Sequence, residues 1–146
     1  MTKKNKMKEK YKIIARFIKD ISAETPDIET FIHVKEYISK YNLNIDITSI
    51  AVKDKVIEVN TKLSLVDTNK NEKKSYFEII YATVIKIDED LKDKDEIEKI
   101  ILCDLQNKIY PDIEKIFFGL IVSSGYPGTK PNKKVDFNEL YKNRKN

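Results

Sequence analysis

The sequence contains few of the residues from which enzymatic and metal-binding sites are built. His33 is the only histidine and Cys103 the only cysteine. One chain therefore cannot form a histidine-based metal cluster or an internal disulfide, and a single cysteine fits a reducing compartment. Asp104 is an anion beside Cys103 that should raise the pKa of the thiol and disfavour a reactive thiolate. Three glycines leave no glycine-rich phosphate loop, so we expect no enzyme, no cofactor and no metal.

Long hydrophobic runs are also missing. None approaches the roughly 20 apolar residues that a membrane-spanning helix needs, and the basic N-terminus is not followed by the apolar core of a signal peptide. We therefore expect a cytoplasmic protein without stable membrane insertion. A chain of 146 residues fits one domain. That domain is predicted at residues 11–142, between a flexible basic tail at 1–10 and a flexible tail at 143–146.

Charge is distributed unevenly along the chain. The net charge is +4, but residues 1–12 carry +5, residues 130–146 carry +4 and the body between them carries −5. Basic tails often only solvate the ends of a chain, although they can also contact nucleic acids or membrane surfaces. An acidic body would let a nucleic acid touch only the tails. A nucleic-acid-binding module is therefore an alternative, and the main interpretation includes no nucleic acid.

Alternating hydrophobicity predicts four strands of an α+β domain. They are expected at residues 11–24, 43–48, 56–66 and 75–87. The first ends at Thr25-Pro26-Asp27, because proline cannot continue a hydrogen-bonded ladder. Its predicted faces are Ile13, Ala15, Phe17 and Ile21 on one side and Ile14, Arg16, Ile18 and Asp20 on the other. Residues 28–41 fit an irregular crossover or a short helix, and polar residues 67–72 predict a hairpin between the last two strands.

The fourth strand differs from the others because both of its faces are apolar. One face carries Phe77, Ile79, Tyr81, Ile85 and Ile87, and the other carries Tyr76, Ile80, Ala82 and Val84. A strand of this kind needs cover on both sides. Since only one long helix is predicted, the second cover must come from another subunit or a ligand. This is the first physical indication that the chain forms an oligomer.

One long helix is predicted over residues 95–123. Pro111 should break or kink it, because proline removes a helix hydrogen bond and clashes one turn back. After the proline, apolar residues cover most of the circumference, which indicates burial on two sides. Gly125 is a natural helix stop. A short terminal helix is expected from an N-cap at Asp136 to about residue 142.

Several short motifs carry a resemblance to one known family. They are Asp20-Ile21-Ser22 with Glu24 and Pro26, Ser75-Tyr76-Phe77-Glu78, Tyr110-Pro111, Gly125-Tyr126-Pro127 and Val135-Asp136-Phe137. As a set they resemble the first-strand signature, the glutamate-bearing strand, the helix proline and the ending of the SecB export chaperones. The resemblance covers roughly residues 11–142. The chain differs from the family at Ala82-Thr83, where a pair of glycines is usual.

The resemblance implies both a fold and a function. The fold is a four-stranded antiparallel sheet with one long Pro-kinked helix and a short C-terminal helix, which oligomerises through the helix and a sheet edge. The assembly is a homotetramer, built as a dimer of dimers. The function is that of an ATP-independent holdase that binds unfolded precursor proteins, keeps them translocation-competent and delivers them to the motor SecA. A SecB-like chaperone for a dedicated client of the toxin–antitoxin type, without SecA, is the close alternative.

Three groups of site residues follow from the resemblance. An acidic patch on the outer face of the sheet would face SecA and comprises Asp20, Glu24, Tyr76 and Glu78. A client groove at the crossover would be lined by Phe31, Tyr37, Ile38, Tyr41 and Leu43, unless these residues simply pack the domain. The oligomer interface would include Ile80, Ala82, Val84, Ile97, Ile101 and Leu105. A holdase needs exposed apolar grooves of this kind because it binds many sequences weakly.

Overall fold

A four-stranded antiparallel sheet with helices on one face forms the core of the computed structural model, which describes residues 9–69, 72–127 and 135–145. The strands are β1 (Tyr11–Glu24), β2 (Asn42–Lys53), β3 (Val56–Val66) and β4 (Tyr76–Ile87). The helices are α1 (Ile28–Tyr37), α2 (Lys94–Lys99), α3 (Leu105–Ser123) and α4 (Phe137–Lys145), with a 3-10 turn at Ile38–Lys40 and a π-helical turn at Ile100–Asp104. The predicted strands and helices are confirmed, and the ambiguous segment 28–41 contains a helix.

The strand order β1-β4-β3-β2 places β3 and β4 in the centre of the sheet and leaves β1 and β2 as its edges. The face that packs against α3 is called the inner face. Its central residues share one hydrophobic core with the helix; from the sheet these include Val59, Leu63, Phe77, Ile79 and Ile85, and from the helix Leu105, Ile109, Ile113 and Phe117. Because side chains alternate along a strand, the residues between them lie on the opposite, outer face.

Two β-bulges in β1 change which of its residues share a face. The register shifts between Ile13 and Ala15 and again between Ile18 and Asp20. After the shifts, inner-face residues of β4 pair with Ile13, Arg16, Ile18 and Ile21, and outer-face residues pair with Ala15, Phe17 and Asp20. The predicted faces of the first strand are therefore wrong, since each bulge adds one residue and reverses the alternation beyond it. The contact of Arg16 Nη2 with Asp112 Oδ2 of α3, at 3.1 Å, agrees with its inner position.

The long helix is continuous from α2 through the π-helical turn to the end of α3. Pro111 lies inside α3 as predicted; of the predicted break or kink, the break does not occur, because the helix continues to Ser123. Pro111 and Asn107 are both exposed, and water can therefore solvate the carbonyl group that the missing N–H leaves unpaired. The hydrogen-bond pattern changes instead at the π-helical turn, where the Leu105 N–H donates to the Ile100 carbonyl.

A buried glutamine anchors the π-helical turn to the sheet. The Gln106 side chain is fully buried, and its Nε2 donates to the Ile101 carbonyl at 3.3 Å. Its Oε1 accepts a hydrogen bond from Thr61 Oγ1 of β3 at 3.0 Å. Buried polar groups are stable only when they are paired in this way. The Gln106 side chain therefore links the backbone of the π-helical turn to strand β3.

Three hydroxyl groups meet at the end of the sheet where β1 ends and β4 begins. Thr25 Oγ1 lies 2.8 Å from both Ser75 Oγ and Tyr126 OH, and Ser75 Oγ lies 2.7 Å from Tyr126 OH. The Tyr126 ring also packs against Phe31 and Phe77, with centroid distances of 5.0 and 5.5 Å. This cluster connects α1, both strands and the segment after α3.

The two ends of the chain agree only partly with the predicted tails. Gly125 ends α3 as expected, with a φ of +101°. Asp136 caps α4 as expected, because its Oδ1 accepts from the Glu139 N–H at 3.1 Å. However, α4 continues to Lys145, into the segment predicted as a tail at 143–146. The predicted tail at 1–10 lies outside the described residues except for its last two positions.

Gly125→Ala should reduce the free energy of unfolding by about 1–3 kcal/mol, since alanine disfavours this φ. The added Cβ would also lie 2.9 Å from Phe31 Cε1. Gly119→Ala is a matched control in the middle of α3, where nothing lies within 4 Å of the new methyl group. It should increase the free energy of unfolding by about 0.5–1 kcal/mol. Urea unfolding measures both changes, and equal stabilities of the two variants would contradict this difference.

Candidate functional site

The four residues predicted as an acidic patch lie together at one end of the outer face. Asp20 and Glu24 belong to β1, and Tyr76 and Glu78 belong to the adjacent strand β4. Glu24 lies directly opposite Tyr76, and Ser22 lies opposite Glu78. Residues paired in this way share a face and are close in space. We call Asp20, Glu24, Tyr76 and Glu78 the acidic patch.

Within the acidic patch, Glu78 is covered by two neighbours. Tyr76 OH donates a hydrogen bond to Glu78 Oε1 at 2.5 Å, and Lys62 Nζ of β3 lies 3.1 Å from the same oxygen. The Glu78 side chain is only 12% exposed, whereas that of Lys62 is 43% exposed and Tyr76 is 41% exposed. The surface that a partner meets first is therefore made of Asp20, Glu24, Tyr76 and the neighbouring Lys62.

The pKa values in the patch shift as this geometry requires. The hydrogen bond to Glu78 raises the pKa of Tyr76 to about 12, helped by burial and by the charges of Glu78, Asp20 and Glu24. The same bond lowers the pKa of Glu78; burial opposes this effect and Lys62 supports it. The patch therefore contains a stabilised carboxylate beneath a neutral phenol.

Lys62 was missed by reasoning from the sequence alone. Lys62 pairs with Ile80 and so lies diagonally across from Glu78. The register of the predicted hairpin between β3 and β4 would therefore have identified Lys62 as a neighbour of Glu78. Without the register, a lysine on the polar face of a strand has no assigned neighbour. The sequence therefore predicted the carboxylates of the site but not the cation that contacts them.

Beyond the acidic patch, the outer face becomes apolar. Phe17 is 45% exposed, Ile80 and Val84 are half-buried, and Ala82 is fully buried between them. Further along, Lys19 Nζ of β1 contacts Glu58 Oε2 of β3 at 2.5 Å. The hydrogen bond from Lys19, joined by one from Asn60, lowers the pKa of Glu58. The residues that the structure describes thus leave part of the outer face of one chain without cover.

The residues predicted as an oligomer interface fall into two separate groups. Ile80, Ala82 and Val84 lie on the outer face of the sheet. Ile97, Ile101 and Leu105 lie in the helical segment packed on the inner face, where Ile97 is half-buried, Ile101 is 8% exposed and Leu105 is fully buried. The structure therefore does not bring all six together on one surface of the chain.

The residues predicted as a client groove also differ in accessibility. Ile38 and Tyr41 are buried in the hydrophobic core, and burial raises the pKa of Tyr41. Tyr37 is 39% exposed, and Phe31 and Leu43 are half-buried. The alternative reading, that these residues pack the domain, therefore describes Ile38 and Tyr41. The other three remain accessible from outside.

An apolar cleft of about 350 Å³ lies between the edge strand β2 and the long helix. Its lining residues are Ile47, Thr48, Ser49, Lys94, Ile97, Glu98, Ile101, Leu102 and Arg144. Two of them, Ile97 and Ile101, had been assigned to the oligomer interface. The cleft combines aliphatic walls with charged side chains, a lining that can bury the apolar surface of a ligand.

The surroundings of Cys103 disfavour a reactive thiolate. Cys103 is buried and its Sγ donates to Asn138 Oδ1; burial raises the pKa of its thiol, and Asp104 raises it further as predicted. Across residues 9–69, 72–127 and 135–145, three or more His, Cys, Asp or Glu side chains are nowhere grouped to hold a metal ion. In the same ranges, no helix has the length and hydrophobicity needed to cross a membrane.

Comparison with known proteins gives consistent results. Residues 4–146 match the family described as preprotein translocase subunit SecB. A provisionally assigned protein-export protein SecB from Pelagibacter ubique (strain HTCC1062) is 59% identical over 140 residues, which cover 96% of this chain and 100% of the relative. A Mycobacterium tuberculosis SecB-like chaperone, solved with a ChAD peptide from the HigA1 antitoxin, has a TM-score of 0.61 at 12% identity. The match covers 86% of this chain and 91% of that chain, and at this identity it shows a shared fold.

Glu78→Gln should lower the pKa of Tyr76 from about 12 towards the ordinary phenol value of 10.0. The reason is that the substitution removes the carboxylate that accepts its proton and repels its phenolate. Ultraviolet titration of phenolate, compared with the Tyr76→Phe counterpart of each chain, isolates this residue. Asp20→Asn is the control and should lower the pKa less. A Tyr76 pKa still near 12 in Glu78→Gln would contradict the hydrogen bond.

The raised pKa of Tyr76 also predicts a dependence of stability on pH. A group with a folded pKa of about 12 and an ordinary value of 10.0 stabilises the fold fully below pH 10. That contribution should be lost as the pH rises through about 12. Urea unfolding across this range should show a smaller decline for Tyr76→Phe than for the unmodified chain. An identical decline would argue against any contribution from Tyr76.

Proposed function

The chain belongs to the SecB family of preprotein translocase subunits, and on that premise we propose that it is an ATP-independent holdase in protein export. In this role it binds unfolded precursor proteins in the cytoplasm, keeps them translocation-competent and delivers them to SecA. The observation that carries the proposal is the grouping of Asp20, Glu24 and Glu78 in one patch on the outer face of the sheet. A cationic partner surface would complement this patch.

Docking of SecA at the acidic patch is supported by charge and by shape. The exposed carboxylates of Asp20 and Glu24 would attract a basic segment and orient it during the encounter. The adjoining apolar residue Phe17, which is 45% exposed, would then lose solvent-exposed area beneath it. Apolar contact stabilises such a complex by roughly 25 cal/mol per Å² buried. The patch thus offers both a steering charge and a contact surface.

Clients would bind on the other side of the sheet. The cleft beside β2 provides aliphatic walls, and Tyr37 with the half-buried Phe31 and Leu43 provides accessible apolar surface at the crossover. Weak contacts at several such places suit a chaperone that holds many sequences. Four copies in one assembly would raise the effective affinity further, because the second contact of a bound chain becomes intramolecular.

A homotetramer, arranged as a dimer of dimers, would supply the missing cover of the sheet. The edges β1 and β2 present backbone groups on which another copy can add strands. The apolar outer-face residues Ile80 and Val84, left half-buried in one chain, would gain contacts in the assembly. These two features favour association through a sheet edge and through the outer face of the sheet.

Light scattering on a size-exclusion column should give a mass of about 68 kDa, that of four 17.1 kDa subunits. Adding a urea-diluted unfolded precursor should shift the tetramer to a larger, soluble complex without ATP. The same precursor in its folded state is the control and should not bind. A monomer or dimer that leaves the unfolded precursor to aggregate would contradict the holdase.

Asp20→Lys with Glu24→Lys should weaken binding of SecA by about tenfold or more, because two attractive charges become repulsive. Isothermal titration calorimetry measures the affinity. Asp54→Lys is a matched charge reversal in the exposed turn between β2 and β3, away from the patch, and should change the affinity little. If the patch variant binds SecA unchanged while still holding clients, the chain would act without SecA, as a chaperone for a dedicated client.

A further inference from the structure

Glu78 is the central carboxylate of the acidic patch, yet a partner cannot reach it directly. Lys62 and Tyr76 both contact its Oε1, and its side chain is only 12% exposed. A basic partner segment that approaches the patch therefore meets a positive charge above the most enclosed negative one. Like charges in contact oppose binding unless one of them moves.

We propose that Lys62 is a built-in competitor that occupies Glu78 until a cationic segment of the partner displaces its ammonium group. The inference rests on the proposed docking of SecA at the acidic patch. It assigns to Lys62 a role in specificity: only a partner with enough positive charge replaces it. A weakly basic surface would engage Asp20 and Glu24 but leave the Lys62–Glu78 contact intact.

The surroundings of Lys62 allow this exchange. Its side chain is 43% exposed and has a flexible four-carbon stem. Asp46 of β2 lies directly opposite Lys62 in the register, so a displaced ammonium has a second carboxylate within reach of a cross-strand pair. Lys62 is the exposed member of this ion pair, so water can solvate its ammonium group when the group leaves Glu78.

Tyr76 keeps Glu78 in place when Lys62 leaves. Its hydroxyl donates to the same Oε1 at 2.5 Å, so the carboxylate retains one strong hydrogen bond during the exchange. The aromatic ring lies next to Glu24 across the strand pair. The incoming cation would thus meet an oriented carboxylate beside an aromatic ring, which also attracts cations.

The test is the affinity for SecA of Lys62→Met, with Lys19→Met as the matched control. Both substitutions remove one lysine that is ion-paired on the outer face. Lys19 precedes Asp20 in β1, so both substitutions remove a positive charge close to the patch. The ion-pair partner of Lys19 is Glu58, whereas that of Lys62 is Glu78. The control therefore reports the loss of a nearby positive charge that leaves Glu78 occupied.

Lys62→Met should bind SecA roughly two- to fivefold more tightly, the range expected for release of an exposed ion pair. Lys19→Met should increase the affinity less, because it removes a positive charge beside Asp20 but leaves the Lys62–Glu78 contact intact. In a Glu78→Gln background, the gain from Lys62→Met should disappear, because the competitor then has no carboxylate to occupy. Lys62→Gln serves as a second variant with the same expectation, and urea unfolding verifies that each variant is folded.

Three results would overturn the inference: no gain in Lys62→Met, an equal gain in Lys19→Met, or a gain that persists with Glu78→Gln. These results can be distinguished from a failure of the proposed function. That failure would appear as an unchanged affinity for SecA when the charges of Asp20 and Glu24 are reversed, or as no binding of SecA by the unmodified chain. It would remove both proposals. If reversing Asp20 and Glu24 weakens SecA binding while Lys62→Met leaves the affinity unchanged, only the proposal that Lys62 is a competitor is rejected.

Discussion

The packing of the long helix against the inner face of β3 and β4 is the constraint on which the rest of the structure depends. Phe77, Ile79 and Ile85 of the sheet meet Ile109, Ile113 and Phe117 of α3, and all six are fully buried. Each large apolar side chain buried in this way contributes about 1.5–3 kcal/mol. Because strands alternate, the choice of inner residues also decides which side chains point outwards. The acidic patch lies on the outer face because the apolar residues between its members are buried in the core on the inner face.

This arrangement separates the two surfaces that the proposed function requires. The cleft beside β2 includes Ile47 and Ser49, which pair with inner-face residues of β3, and it faces the helix. The acidic patch lies on the opposite face of the same sheet. A client on one side and SecA on the other would not compete for the same surface. Handing a precursor from chaperone to motor requires that both be bound for a time.

Much of the fold could be predicted from local patterns, and the exceptions have physical causes. The strand at 56–66 was predicted with its observed bounds, because Val59, Leu63 and Leu65 alternate with polar residues. The faces of β1 could not be predicted, since a bulge leaves the composition of a strand unchanged while reversing its alternation. The π-helical turn was likewise not predicted from local patterns, and the hydrogen bond beside it joins Gln106 to Thr61, which are 45 residues apart.

The site was predictable to a similar degree. The resemblance placed Asp20, Glu24 and Glu78 in one patch, and the register of β1 with β4 agrees with that grouping. The resemblance could not indicate which of these side chains are exposed to solvent. Ile38 and Tyr41 proved to be core residues, and Glu78 proved to lie beneath Tyr76 and Lys62. Burial depends on the side chains that surround a residue in three dimensions, which motifs of a few residues do not encode.

The three hydroxyls of Thr25, Ser75 and Tyr126 have a consequence for how the sequence can vary. Each hydroxyl can donate once and accept from a neighbour, so the ring satisfies all three groups together. Loss of any single hydroxyl breaks two contacts and leaves the remaining pair incompletely bonded in a partly buried place. A neutral evolutionary path from this polar ring to an apolar one would therefore need coordinated replacements. The three positions should be inherited as a set, even though they lie in three distant parts of the chain.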